Sequence, residues 1–218
     1  MRDLLFVGLF ALFLTNTHAA DINDLTYDAT GDTVIITDCV VDASGALVIP
    51  NSIEGRLVTG IAANAFSNCS SLTGIIIPDG VTSIGSSAFS GCSSLSDITI
   101  PDSVTSIGGG TFIRCSSLTS ITIPDSVTSI GRSAFYNCTS LTSIAIPDSV
   151  NSIGIYAFND CTSLTSITIS DSVTSISRLA FEDCTSLKSI TFGKNSKLTS
   201  IGSSAFIGCT SLTSITIP

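Results

Sequence analysis

The sequence predicts a solenoid, in which short coils of about 23 residues stack along one axis. Each coil is predicted to contain one parallel β-strand and one short helical or 3₁₀ turn. First, a phenylalanine recurs every 23 residues, with a last step of 25, and a cysteine and then a leucine follow it at intervals of three. Second, polar and apolar residues alternate after this leucine, as in a half-buried strand. Third, no single unit can bury its own apolar residues, so neighbouring units have to stack. The phenylalanines are Phe66, Phe89, Phe112, Phe135, Phe158, Phe181 and Phe206.

Residues 1–19 are predicted to be a signal peptide. Arg2 supplies the positive charge, residues 4–14 form an apolar run, and small residues precede the cleavage point, which we place after Ala19. The alternative is an uncleaved membrane anchor, although the apolar run is short for crossing a bilayer. No later stretch is long and apolar enough to span a membrane. We therefore expect an exported chain without an integral membrane segment after cleavage.

Residues 20–46 are predicted to form an N-terminal β cap, and residues 47–218 an array of about seven repeats. A cap is needed because the first coil would otherwise expose its apolar residues to water. The array stops in mid-repeat at Pro218, which predicts either a fragment of a longer array or self-association through the open C-terminal edge. The predicted cap strands are 33–36 and 46–49, and the predicted turns are 31–32 and 44–45.

One full unit, counted from Cys115, has the sequence CSSLTSITIPDSVTSIGRSAFYN. Its Ser-Ile-Thr-Ile segment is the predicted strand. Pro-Asp-Ser ends the strand, because proline cannot continue a ladder and this triplet favours a turn. The Gly-x-Ser-Ala-Phe segment is long enough for one short helical or 3₁₀ turn.

The pattern A-F-x-x-C-x-S-L-x-S-I-x-I-P-x-S-V-x-S-I resembles the BspA-like class of leucine-rich repeats over about residues 60–218. Residues 47–61 resemble an opening unit of that family with a longer loop after Pro50. The resemblance implies a curved leucine-rich-repeat solenoid with parallel strands on its concave face. It also implies a secreted or cell-surface protein that contacts host or matrix macromolecules, since members of this family are associated with adhesion.

The composition argues against several classes of function. Without residues 1–19 the chain has no His, Met or Trp, which removes the usual catalytic base, mixed Cys/His zinc sites and haem ligation by His. We expect no enzyme activity, cofactor or metal. The net charge is −9 and the few cations are scattered, so nucleic acid is not an expected partner. One enzymatic alternative is a carboxylate-based glycoside hydrolase that uses Asp160 and Asp183, but a small solenoid is expected to offer no deep pocket.

Two surfaces supply candidate binding residues. The outward strand residues form a face of small hydroxyls, which suits a periodic ligand such as a glycan or ice, or which only tolerates crowding between strands. The opposite, convex side carries the predicted short helical or 3₁₀ turns, and we call it the turn side. It varies more between repeats, which indicates either a partner site or unconstrained surface. The strand-face candidates are Ser120, Thr122, Ser143, Ser166, Thr168, Ser189 and Thr191, and the turn-side candidates are Arg132, Tyr136, Tyr156 and Arg178.

Cysteine and aspartate each recur once per repeat, as two ladders along the solenoid, and each ladder allows alternative interpretations. The cysteines could form disulfides or hold a metal, but we favour a column of buried apolar thiols; Cys39 is a candidate partner for Cys69. One aspartate per repeat after the strand could hold calcium, but we favour a role in the turn. The aspartates are Asp79, Asp102, Asp125, Asp148 and Asp171.

The function we predict is that of a secreted or cell-surface scaffold, which binds proteins or glycans of a cell surface or matrix. The alternative is a structural surface or one that binds a periodic ligand.

Overall fold

The computed structural model describes residues 19–218, which form a β-solenoid. The predicted signal peptide lies outside these residues except for Ala19. Within the described part of the chain, no helix is long and apolar enough to cross a membrane.

An antiparallel hairpin precedes the coils. A 3₁₀ helix, Ile22–Asp24, leads into β1 (Leu25–Thr30) and β2 (Thr33–Cys39), which are joined by the predicted turn at 31–32. The predicted strand at 33–36 is therefore confirmed and extended, while β1 was missed because only its first residue is buried. The turn predicted at 44–45 is wrong. The chain turns at 41–42 instead, where Ala43 N donates to Val40 O at 3.1 Å.

Most later coils contribute two short parallel strands rather than the single strand predicted. The first column comprises β3 (Gly45–Val48), β6 (Leu72–Ile76), β8 (Asp97–Thr99), β9 (Ser120–Ile121), β11 (Ser143–Ile144), β13 (Ser166–Ile169) and β15 (Ser189–Phe192). The second comprises β5 (Arg56–Ile61), β7 (Ser83–Ile84), β10 (Ser129–Ile130), β12 (Ser152–Ile153), β14 (Ser175–Ile176) and β16 (Ser200–Ile201). The first column holds the predicted strands, and β2 of the cap pairs in parallel with β5 of the second.

The lengthened loop after Pro50 is a second hairpin. Here β4 (Ser52–Ile53) pairs antiparallel with the start of β5, so that Ser52 lies opposite Leu57. Glu54 and Gly55 both have positive φ, at 51° and 79°, as a two-residue type I′ turn requires.

The short helical turn predicted for each coil is wrong. No helix occurs between residues 25 and 218, and the segment is a run of β-turns. In one coil Ala88 N donates to Gly85 O and Cys92 N to Phe89 O, both at 3.3 Å. The third residues of these turns, Ser87 and Gly91, have φ of 57° and 77°, as type II turns require and a helix forbids. Phe89 N instead donates to Thr111 O of the next coil, so stacking satisfies groups that a helix would satisfy internally.

The core is a set of stacked columns along the solenoid. Neighbouring phenylalanine rings lie 5.2–5.5 Å apart between centroids, and their planes are inclined by 4–20°. The rings from Phe66 to Phe181 are fully buried, as are the leucines from Leu72 to Leu187. This continuous core holds the strand side and the turn side of every coil in fixed register.

Candidate functional site

The turn side of three neighbouring coils forms a cavity of about 360 Å³, which we call the tyrosine pocket. The pocket is open to solvent and combines two aromatic rings with carboxylates. It is lined by Ser133, Tyr136, Tyr156, Asn159, Asp160, Glu182 and Asp183.

Tyr156 is held between two arginines. The Arg132 guanidinium carbon lies 5.8 Å from the centre of the Tyr156 ring, within the range of a cation–π contact. From the next coil, Arg178 Nη2 donates to the Tyr156 hydroxyl at 3.2 Å. The four predicted turn-side residues therefore come together, because Tyr136 lines the same pocket.

The floor of the pocket is rich in hydrogen-bond acceptors. Asn159 is only 4 % exposed, and its side-chain amide donates to Glu182 Oε2 at 2.5 Å. Burial, and then the negative charge of Asp183, raise the pKa of Asp160. None of the three carboxylates forms an ion pair with another residue of the described chain. The pocket is therefore suited to a group that donates hydrogen bonds and carries positive charge.

Asn159, Asp160, Glu182 and Asp183 line the pocket but were not chosen as binding candidates, although the sequence contained a signal for them. The two residues between phenylalanine and cysteine are Asn-Asp before Cys161 and Glu-Asp before Cys184, whereas no other repeat carries an acid there. Because the repeat places equivalent residues on neighbouring coils, these departures from the consensus had to meet on one surface.

The seven strand-face candidates lie on a different side of the coil, where all of them are exposed. Five line a shallow trough of about 360 Å³ across β9, β11 and β13, and Ser189 and Thr191 continue it in register on β15. Their hydroxyls make no hydrogen bond to any described residue. By contrast, the Thr142 and Thr165 hydroxyls beside these strands donate to carbonyls of the preceding coil at 3.1 and 3.3 Å. The strand face therefore presents rows of free hydroxyls without charge or aromatic rings at those seven positions.

Asp171, in the aspartate ladder, accepts a hydrogen bond at Oδ1 from Asn195 N of the next coil at 3.1 Å. The role of the aspartates in their own turns stays a prediction. No three His, Cys, Asp or Glu side chains among residues 19–218 are placed to hold a metal ion. The eight cysteines are buried free thiols, and burial raises the pKa of Cys115 and Cys161 to about 12. Such thiols pack as small apolar groups.

Comparison with known families identifies this architecture. The family model described as the BspA type leucine rich repeat region matches residues 59–154 and 105–218, with six copies. The chain belongs to this family. Membership confirms the resemblance drawn from the repeat and identifies the molecule as a repeat-based binding scaffold.

Solved structures of bacterial leucine-rich-repeat proteins are similar to this BspA-type chain. A leucine-rich-repeat protein of T. pallidum is 33% identical with a TM-score of 0.80, over 89% of this chain and 91% of that one. A leucine-rich cell surface protein of Faecalibacterium prausnitzii A2-165 is 34% identical with a TM-score of 0.76, over 91% of this chain and 54% of that one. One from Bacteroides ovatus is 30% identical with a TM-score of 0.63, over 90% and 64%. The chain thus spans less than two thirds of the last two proteins. No curated protein matches the chain.

Proposed function

We propose that this protein is a secreted or cell-surface scaffold that binds a partner protein through the tyrosine pocket. The observation that carries the proposal is that Tyr136 and Tyr156 line one cavity, and that Arg132 and Arg178 both contact Tyr156. Tyrosine and arginine are the residue types that contribute most to binding energy in protein interfaces. The family and the solved neighbours are repeat proteins rather than enzymes, which supports a binding role.

The pocket favours a basic partner segment. Its three carboxylates have no cationic neighbour bound to them in the described chain, and the whole protein has a net charge of −9. A lysine or arginine side chain of the partner would donate to these carboxylates while its alkyl part contacts the tyrosine rings. Charge complementarity of this kind raises the association rate and makes binding sensitive to salt.

A location outside the cell is supported by two observations. One is the signal peptide predicted over residues 1–19, and the other is the similarity to a protein that is described as a cell surface protein. Secretion of an epitope-tagged full chain, followed by N-terminal sequencing, tests this part of the proposal. Cleavage after Ala19 is expected, and retention in the cytoplasm with an intact N-terminus would contradict it.

Binding of the purified protein to an array of matrix proteins, glycans and basic peptides tests the partner. Tyr156→Ala is the informative variant, because Tyr156 contacts both arginines, and Thr168→Val on the strand face is its matched control. Saturable binding to a basic protein that Tyr156→Ala weakens and Thr168→Val preserves is the expected result. The reverse pattern would move the function to the strand face.

A second candidate is recognition of a periodic ligand, such as a polysaccharide, by the strand face. The observation that favours it is the register of free hydroxyls, in which Ser166 lies opposite Ser189 and Thr168 opposite Thr191. Neighbouring strands place such hydroxyls about 4.8 Å apart, which is a regular spacing. Glycan binding or thermal hysteresis that is lost in Thr122→Val and Thr168→Val would support this candidate. Self-association through the last coil also stays a proposal, which sedimentation of the full chain would test.

A further inference from the structure

Each interior cysteine of the ladder, from Cys92 to Cys161, donates a hydrogen bond to one carbonyl oxygen. Their thiols donate to the carbonyl of the phenylalanine in the preceding coil, and the same carbonyl accepts the backbone N–H of the cysteine in its own coil. The Sγ···O distances are 3.0 Å for Cys92 to Phe66, 3.1 Å for Cys115 to Phe89, 3.1 Å for Cys138 to Phe112 and 3.2 Å for Cys161 to Phe135. These thiols therefore point at carbonyl oxygens rather than at one another.

Cys69, the first cysteine of the ladder, lacks this acceptor because the preceding segment is the cap, which has no equivalent phenylalanine. Its sulfur lies 3.6 Å from Cys39 O and 3.8 Å from Val40 O, longer than any contact of the interior ladder. The sulfur of Cys39 lies 3.7 Å from the same Val40 oxygen. Both sulfurs therefore contact the Val40 oxygen, and the neighbouring thiol raises the pKa of Cys39 and lowers that of Cys69. The cap thus gives Cys69 two longer carbonyl contacts and a neighbouring thiol, where each coil supplies one close carbonyl.

We propose that Cys39 and Cys69 are the site at which this chain forms an intramolecular disulfide, which joins the cap covalently to the first coil. A small-molecule disulfide such as glutathione disulfide is a sufficient oxidant. The Cys69 thiolate attacks one glutathione sulfur, so that the glutathione S–S bond breaks and one glutathione thiolate leaves. Cys39 then loses its proton and attacks the Cys69 sulfur, which releases the second glutathione thiolate. The protein loses two hydrogens and the oxidant gains two.

The position of the pair is compatible with this reaction. Both cysteines are buried, but the adjoining Val40 and Val41 are 45% and 63% exposed, so the pair lies directly below one surface segment. Oxidation before the cap closes, or during local opening of that segment, leaves the stacked coils intact. The interior cysteines are covered by neighbouring coils on both sides, so oxidising them would require the stack itself to open.

A second pair provides a comparison within the same chain. Cys184 and Cys209 are also neighbouring thiols, and this proximity raises the pKa of Cys184 and lowers that of Cys209. Both nevertheless keep the acceptor of the ladder, because they donate to Phe158 O and Phe181 O at 3.1 Å. Cys39 and Cys69 are therefore expected to oxidise in preference to Cys184 and Cys209.

The experiment is oxidation of the purified, reduced full chain by glutathione disulfide, followed by blocking of free thiols and mass spectrometry. Cleavage by chymotrypsin after Phe66 and Leu72 separates Cys69 from Cys92. A linked Cys39–Cys69 peptide is expected, with six of the eight cysteines still blocked as thiols. The unfolding midpoint is expected to rise by roughly 5–10 °C.

Two variants make the result decisive. Cys184→Ser should retain the linked peptide and the rise in midpoint, and Cys39→Ser should lose both. Absence of the linked peptide in the oxidised wild type, a dominant Cys184–Cys209 link, or the same thiol loss in Cys39→Ser would each overturn the proposal. None of these results depends on the partner or on the tyrosine pocket.

Discussion

The strand face and the turn side of this solenoid are built by the same repeat, yet they differ in what they allow to vary. On the strand face, residues such as Ser166 and Ser189 lie directly opposite one another in a parallel ladder, so each side chain has an equivalent neighbour and uniform small residues result. On the turn side, each coil has two positions with positive φ that lie four residues apart, as at Tyr156 and Asp160, and the residue types at these positions differ between coils. Diversity, and with it the capacity to recognise one partner, is therefore concentrated on the turn side.

Both surfaces depend on the shared core, and the largest expected effect comes from breaking it. Phe135→Ala removes a fully buried ring that stacks on both neighbours, so we expect a loss of about 3–5 kcal/mol in the free energy of unfolding. Phe206→Ala, at a partly buried position, should cost less. Urea unfolding followed by circular dichroism measures both variants, and equal losses would argue against a continuous phenylalanine column.

The comparison predicts that binding energy comes from one surface only. Tyr156→Ala removes the ring below Arg132 and the acceptor for Arg178, so affinity for a protein partner should fall about 30-fold, or about 2 kcal/mol. Tyr156→Phe keeps the ring and should cost less. Calorimetry with the partner protein that the binding array identifies measures these losses. Equal weakening of binding by Ser143→Val on the strand face would contradict the prediction that one surface supplies the binding energy.

Backbone conformation should respond in opposite directions on the two surfaces. Arg114 is exposed with φ of 59°, at a position that Gly91 and Gly208 occupy in other coils. Arg114→Gly should therefore raise the free energy of unfolding by about 1 kcal/mol, and Arg114→Val should lower it by about 1–2 kcal/mol. Ser120→Gly on the strand face should lower it by about 0.5–1 kcal/mol. Chemical denaturation tests the sign, and destabilisation by Arg114→Gly would contradict the turn assignment.

The smallest expected effect concerns the carboxylates of the pocket. The pKa of Asp160 is raised by burial and by Asp183, so the folded protein binds this proton more tightly than the unfolded chain does. Above the pKa that Asp160 has in the folded protein, its charged carboxylate therefore lowers the free energy of unfolding. This cost disappears when the pH falls below the pKa that Asp160 has in the unfolded chain. Asp160→Asn should raise the melting temperature slightly at neutral pH and have less effect in acid.

Asp183→Asn tests the electrostatic part of that prediction, because it removes the charge that faces Asp160. In this background the pH-dependent benefit of Asp160→Asn should shrink. Melting curves of the two single variants and the double variant between acid and neutral pH form a complete cycle. Additive effects at every pH would show that the two carboxyls do not interact.

The sequence predicted part of the candidate site. Tyr156 and Arg178 were selected because they depart from the repeat, and the structure brings them into contact. Asn159 and Glu182 were not selected, because nothing local shows that the amide of one donates to the carboxylate of the other. The two residues are one repeat apart in sequence, so they occupy equivalent positions in neighbouring coils. Their contact could therefore be predicted once the stacking of the coils is known.

The sequence by itself determined the period of the solenoid, its buried columns and the first column of strands, because a side chain such as Leu118 or Ile121 is placed by local alternation that repeats along the chain. Only the tertiary structure decided the conformation of the turn side, the tyrosine pocket and the meeting of Cys39 with Cys69. These features depend on which groups of the neighbouring coil or cap accept hydrogen bonds, as Thr111 O does for Phe89 N. Such partners lie about one coil away in sequence. The local sequence pattern therefore cannot specify them, whereas the stacking of the coils does.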